Sequence, residues 1–194
     1  MKRPFVLEFA GSPEAGKTTC IQLLKKEMKN RGYKVEIVTE SAADMPKQIP
    51  KGLWVSNIWI RENMIQKFLS TFYMEPEFLL VDRGIYDSQF HGYKLLSENK
   101  CTKNEYEAYM STYKCIPKLK ADLLVVFTVD PKEAIKRRHG KEGNIVTLEY
   151  VATMNDQCKA YFETLQDEVQ IQFLDTTKMD RQEVLKQILR IIQW

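Results

Sequence analysis

Five short runs rich in apolar and β-branched residues punctuate the chain: Phe5 to Phe9, Val35 to Val38, Phe78 to Val81, Leu123 to Val129 and Val169 to Leu174. A half-exposed strand alternates apolar and polar positions, whereas these runs are nearly continuous. They therefore predict strands buried on both faces, as in a parallel sheet covered by helices. Helical periodicity fills the intervals. Residues 17 to 31 set Ile21, Leu24 and Met28 on one stripe, and Gly32 stands where a helix stop is expected. Met154, Cys158, Phe162 and Leu165 form a second stripe, and Val184, Ile188 and Ile191 a third. Thr102 with Glu105, Asp130 with Glu133 and Asp180 with Glu183 have capping-box spacing, and Pro131 suits a first helical turn. The alternation predicts an α/β fold, a three-layer α/β/α sandwich around a five-stranded parallel sheet. Gly84 to Pro117 carries no strand pattern and exceeds a plain crossover, so helices bordering a substrate cleft are expected there.

Composition narrows the picture. A chain of 194 residues, 44% apolar and 28% charged, is of a length for one globular domain, read as residues 1–194. A net charge of +3 is too small for a nucleic-acid coat or a polybasic membrane anchor, so neither a nucleic-acid polymer nor a membrane is an expected partner. No apolar stretch approaches the ~20 residues of a membrane helix. Cys20, Cys101, Cys115 and Cys158 are widely spaced, without a CxxC and with only two histidines in the chain, which points to reduced thiols rather than a zinc site or disulfide scaffold. The basic start leads straight into the first apolar run and reads as a strand, not a signal peptide. A soluble, cytoplasmic protein is expected.

The chemistry concentrates first in "FAGSPEAGKTT", directly behind the first run. Gly11, Gly16, Lys17 and Thr18 match GxxxxGK[ST], a phosphate-binding loop. Bare glycines allow a tight wrap in which main-chain N–H groups converge on one anion, and the following helix adds its positive dipole end. The span Gly11, Ser12, Pro13, Glu14, Ala15, Gly16, Lys17, Thr18 and Thr19 is therefore read as the cradle of a nucleoside triphosphate. In this motif Lys17 reaches the β- and γ-phosphates and the Thr18 hydroxyl ligates Mg²⁺.

A guanine-reading NKxD motif is missing, since Asn99-Lys100 continues as Cys101-Thr102, and the chain is short for a motor-type ATPase. A small kinase needs a carboxylate near the acceptor hydroxyl, a further charged group near metal and phosphates, and a cationic lid. Glu40 follows the second apolar run at the carboxyl edge of the sheet, where open α/β folds bind ligands. Asp82 and Arg83 follow the third at the same edge. Arg137, Arg138, His139, Gly140 and Lys141 form a cationic, glycine-loosened segment, so a lid is expected around residues 136–146.

Four segments in order, "FAGSPEAGKTT", "TES", "FLLVDRGIYDSQF" and "VFTVDPKEAIKRRHGKEGNIVTLEYVATMNDQCKAYF", give the chain its resemblance to the deoxynucleoside kinase and thymidylate kinase group of P-loop kinases. The resemblance implies Glu40 as general base toward a sugar hydroxyl, Asp82 and Arg83 against metal and phosphates, and Arg137 and Arg138 as lid arginines on the transferring phosphoryl. It also implies that Asp175, Thr176 and Thr177 lie beside the adenine of ATP. The chain departs from deoxynucleoside kinases in carrying Asp82, Arg83, Gly84 where they carry glutamate and Arg-Ser. Trp54, Asn57, Arg61 and Gln66 are all candidates for reading a nucleobase. Trp54 and Trp59 serve a dimer face, a base-stacking pocket or helix-core packing. The expectation is ATP- and Mg²⁺-dependent phosphoryl transfer to a nucleoside, nucleotide or related small acceptor, with Glu40 or Asp82 handling the proton. Its rivals are an ATP-binding regulatory or scaffolding module, and a kinase for a non-nucleotide small molecule.

Overall fold

The computed structural model describes residues 2–114, 116, 120–138 and 146–192. Cys115, Pro117 and, of the segment expected as a lid, residues 139–145 with His139, Gly140 and Lys141 lie outside the described residues. Along the chain run β1 (Phe5–Gly11), α1 (Lys17–Asn30), β2 (Val35–Val38), a 3₁₀ turn (Ser41–Asp44), α2 (Trp54–Phe72), β3 (Phe78–Asp82) and α3 (Ile85–Ser97). There follow α4 (Lys103–Lys114), β4 (Leu123–Thr128), α5 (Pro131–Arg138), α6 (Leu148–Glu163), β5 (Gln170–Asp175) and α7 (Arg181–Ile191). The strands form one parallel sheet in the order β2-β3-β1-β4-β5. Because β1 is central, its end at Gly11 is flanked by the ends of β3 and β4.

Period-two alternation divides the core into two layers. Val6 and Ala10 of β1 and Leu79 and Val81 of β3 face a cluster completed by Phe68 of α2, Phe90 of α3, Tyr109 of α4 and Phe162 of α6. Leu7, Phe9 and Leu80 face the opposite cluster, with Leu24 of α1, Ala134 of α5 and Ile188 of α7. The expected three-layer sandwich is thus present. Each Phe or Leu fully removed from water contributes about 1.5–3 kcal/mol.

The stripe Met154, Cys158, Phe162, Leu165 is buried as its spacing predicts, and Ile191 is only partly buried. Two of the three capping boxes close. Thr102 exchanges hydrogen bonds with Glu105, and Asp180 with Glu183. Asp130 accepts from Lys132 and Glu133 N–H, but its own N–H donates to Thr177 Oγ1, while Glu133 turns to Arg137. The fifth run also departs from expectation. As an edge strand, β5 leaves Gln170, Gln172 and Phe173 exposed rather than covered on both faces. Cys20, Cys101 and Cys158 are free thiols, and among the described residues no helix is long and apolar enough to cross a membrane.

Candidate active site

The loop between β1 and α1 has the geometry of an anion cradle. Gly11 takes φ +106° and Gly16 φ +89°, and a Cβ on Gly11 would stand 2.2 Å from the Phe127 carbonyl oxygen. The glycine at 11 is thus required by both its backbone angle and its contact with β4. Glu14 also adopts a left-handed φ of 57° and pairs with Arg138 at 3.4 Å. Ser12 donates through its hydroxyl to Asn155 Oδ1 at 2.5 Å, and Asn155 Nδ2 donates to Val129 O, so α6 pins the start of the loop. Lys17 is 5% exposed, its ammonium donating to Ser12 O at 2.6 Å and Gly11 O at 3.1 Å. Burial first, then the neighbouring Arg83, lowers its pKa to about 8 against the pull of Asp87, Asp82 and Glu40.

The alternation that sends Leu80 toward α1 sends Asp82 there too. Thr18 Oγ1 donates to Asp82 Oδ2 at 2.6 Å. Asp82 Oδ1 is buried with no hydrogen-bond partner among the described residues. Burial raises the Asp82 pKa, opposed by Thr18, Lys17 and Arg83. A hydroxyl and a carboxylate sharing one contact, with a second carboxylate oxygen unpartnered, is a set of hard oxygen donors suited to a divalent cation.

Arg83, at a left-handed φ of 59°, bridges two acids. Its Nε lies 3.1 Å from Glu40 Oε1, and its Nη1 3.1 Å from each oxygen of Asp87. Burial disfavours the Arg83 charge, but Asp87, Glu40 and Asp82 outweigh it and raise its pKa. Burial likewise opposes the charge on Asp87, where Arg83, His91 and Lys17 prevail and hold the carboxyl below the ordinary aspartate range. Lys67 of α2 donates to Thr39 O, Thr39 Oγ1 and Glu40 O, fixing the backbone that carries Glu40.

These groups open into one cleft of about 860 Å³. Lys17, Thr18, Glu40, Arg83 and Arg138 line it together with Met45, Leu53, Asn57, Ser88, His91 and Tyr150. Helix α3 does border the cleft, as expected for the segment after Gly84. Under Ser88, whose Oγ lies 2.7 Å from Tyr109 Oη, Tyr113 donates to Ser88 Oγ at 3.0 Å, tying α3 to α4. Of the four residues considered for base reading, Asn57 lines the cleft. Trp54 packs on Tyr109 with ring centroids 5.0 Å apart, and Arg61 lies 4.2 Å over the same ring while donating to Tyr109 O. Gln66 belongs to a separate groove beside β2.

Arg137 does not line the cleft with Arg138. It donates to Thr176 Oγ1 and Thr176 O, on the loop that follows β5. The Thr176 hydroxyl in turn bonds Ala15 O and Thr128 O, so it braces the phosphate loop, and Asp175 accepts from Thr177 N–H. Glu8 and Asp87 went unrecognised in the sequence. The signal available for Glu8 was a single acid inside an otherwise apolar run; for Asp87 it was the spacing of four residues from Arg83.

By sequence, the chain matches no protein-family model and no curated protein. By structure it aligns with deoxyadenosine kinase from M. mycoides. The form solved with dCMP and a flexible dCDP gives a TM-score of 0.74 at 18% identity, covering 96% of this chain and 98% of that one. The dATP-bound form gives 0.72 at 18%, covering 98% and 100%, and the dCTP-bound form 0.73 at 19%, covering 96% and 98%. The fold is that of a deoxynucleoside kinase. The alignment extends over nearly the whole of both chains.

Proposed function

We propose that the chain is an ATP- and Mg²⁺-dependent kinase that transfers the γ-phosphoryl group to a nucleoside, nucleotide or related small acceptor. The observation that carries this reading is the continuity of the cleft. One cavity is lined by the phosphate loop, by the Glu40–Arg83 pair and by side chains of α2, α3 and α6. The nucleoside mono-, di- and triphosphates held by the structural neighbours support an acceptor of that class.

Lys17 and the loop amides bind and orient the polyphosphate, the ammonium exchanging its carbonyl partners for phosphate oxygens. Thr18 and Asp82 would hold the metal, which when bound would supply charge neutralisation at the phosphoryl oxygens. Arg138 adds positive charge from the lid side. Glu40, oriented by Arg83, takes the proton of the acceptor hydroxyl. Catalysis on this reading is positioning and electrostatics rather than covalent chemistry.

The test is acceptor-dependent ADP release across a panel of nucleosides, nucleotides and small sugars or acids. Lys17→Ala should abolish turnover. Glu40→Gln should lower kcat by about 10²-fold or more while ATP binding by calorimetry stays intact. A Glu40→Gln enzyme as fast as wild type removes Glu40 from the base role, and ADP release indifferent to every acceptor overturns the kinase reading.

A further inference from the structure

Glu8 has no part in the mechanism above, although it is buried beside the cleft with only 1% of its surface exposed. Strand alternation places it with Val6 and Ala10 on the layer occupied by α3. There it meets a helix that lacks a cap of its own, because the residue before α3 is Gly84 and no side chain there accepts from the first turn. Asp87 N–H donates to Glu8 Oε1 at 2.9 Å, and the amides of Tyr86 and Gly84 reach the same carboxyl. A strand residue thus supplies the acceptor that the helix sequence omits. Gly84 is shaped by this contact, since a Cβ there would stand 2.6 Å from Glu8 Oε2.

The held segment is the one that carries the charged centre. Arg83 immediately precedes Gly84, and its N–H donates to Phe9 O at 3.0 Å, on the residue following Glu8. Asp87 closes the same short arc, pairs with the Arg83 guanidinium and accepts from Gly11 N–H at 3.3 Å. Glu8 therefore holds the Gly84–Asp87 side of this arc and the neighbouring Phe9 carbonyl its Arg83 end, and the arc in turn touches the phosphate loop.

We propose that Glu8 is a positioning residue for phosphoryl transfer, taking the amides at the start of α3 and so aiming the Arg83 guanidinium at Glu40. Its kinetic consequence rests on the kinase reading above; its geometry does not.

Two variants attack the contact from opposite sides. Glu8→Met keeps the side chain's length but removes both carboxyl oxygens, so the Asp87 amide loses its acceptor, and Gly84→Ala drives a methyl into the carboxyl. Each should lower kcat about tenfold with KM for ATP within about twofold. Each should speed hydrogen exchange at the Tyr86 and Asp87 amides, and the double variant should be no slower than the slower single one, as expected for one shared interaction. Wild-type kcat and exchange in Glu8→Met overturn the proposal, as do lost thermal stability with unaltered kcat, or effects that multiply fully in the double variant. If wild-type protein turns over no acceptor, the kinase reading alone fails. The NMR signal of Arg83 Nε–H then decides for Glu8: a shift in Glu8→Met supports the positioning role, and an unmoved signal overturns it.

Discussion

Burial lowers Lys17 to about 8 and raises Glu8 to about 8, so a base and an acid beside one cleft titrate in the same range. For Glu8, burial is the main cause, reinforced by the Asp87 charge and opposed by the amides of Asp87, Tyr86 and Gly84. Folded protein therefore holds this proton more tightly than unfolded chain, whose carboxyl titrates at 4.5. The resulting stabilisation is complete below that value and is lost as pH rises through about 8. Asp87 acts in the opposite sense, its depressed pKa favouring folding above the ordinary aspartate range and withdrawing that support only in acid. Denaturant titration of the wild type should show stability falling between about pH 5 and about pH 8, and Glu8→Gln should flatten that decline. An equally steep decline in the variant would assign the effect to other groups.

At the scale of elements, the phosphate loop depends on the strand beside it as much as on its own glycines. Gly11→Ala combines an unfavourable φ of +106° with a methyl 2.2 Å from the Phe127 carbonyl, so β1 and β4 must part. It should destabilise the fold by about 2 kcal/mol or more and abolish ATP binding, measured by thermal melts and calorimetry. Gly16→Ala meets no atom within 4 Å and should show only the backbone cost, about 1–2 kcal/mol. Features set by local spacing were legible in the sequence, among them the central strands, the Gly11–Thr18 loop, the buried stripe of α6 and the Asp180–Glu183 cap. Features decided by distant partners were not. The Asp130–Glu133 box opens because Thr177 and Arg137 offer competing bonds, and Arg137 leaves the cleft for the Thr176 carbonyl. Glu8 was hidden because its partners are amides of α3, brought near by a pairing of β1 with β3 that no local pattern reports.

Over the whole molecule, the order β2-β3-β1-β4-β5 gathers residues far apart in the chain at one carboxyl edge: the phosphate loop after β1, Glu40 after β2, and Asp82 with Arg83 at the end of β3. Asn57 of α2, Ser88 of α3 and Tyr150 of α6 line the cleft, so part of its wall belongs to helices whose core layer already supports the sheet. The Thr176 hydroxyl on Ala15 O joins positions 161 residues apart. Synthesis delivers Ala15 well before Thr176, so a nascent chain emerging from the ribosome would carry an unbraced loop between β1 and α1 until β5 and the turn behind it arrived. Chains terminated before Gln170 should accordingly fail to retain ATP in a pull-down, however well their amino-terminal half is made.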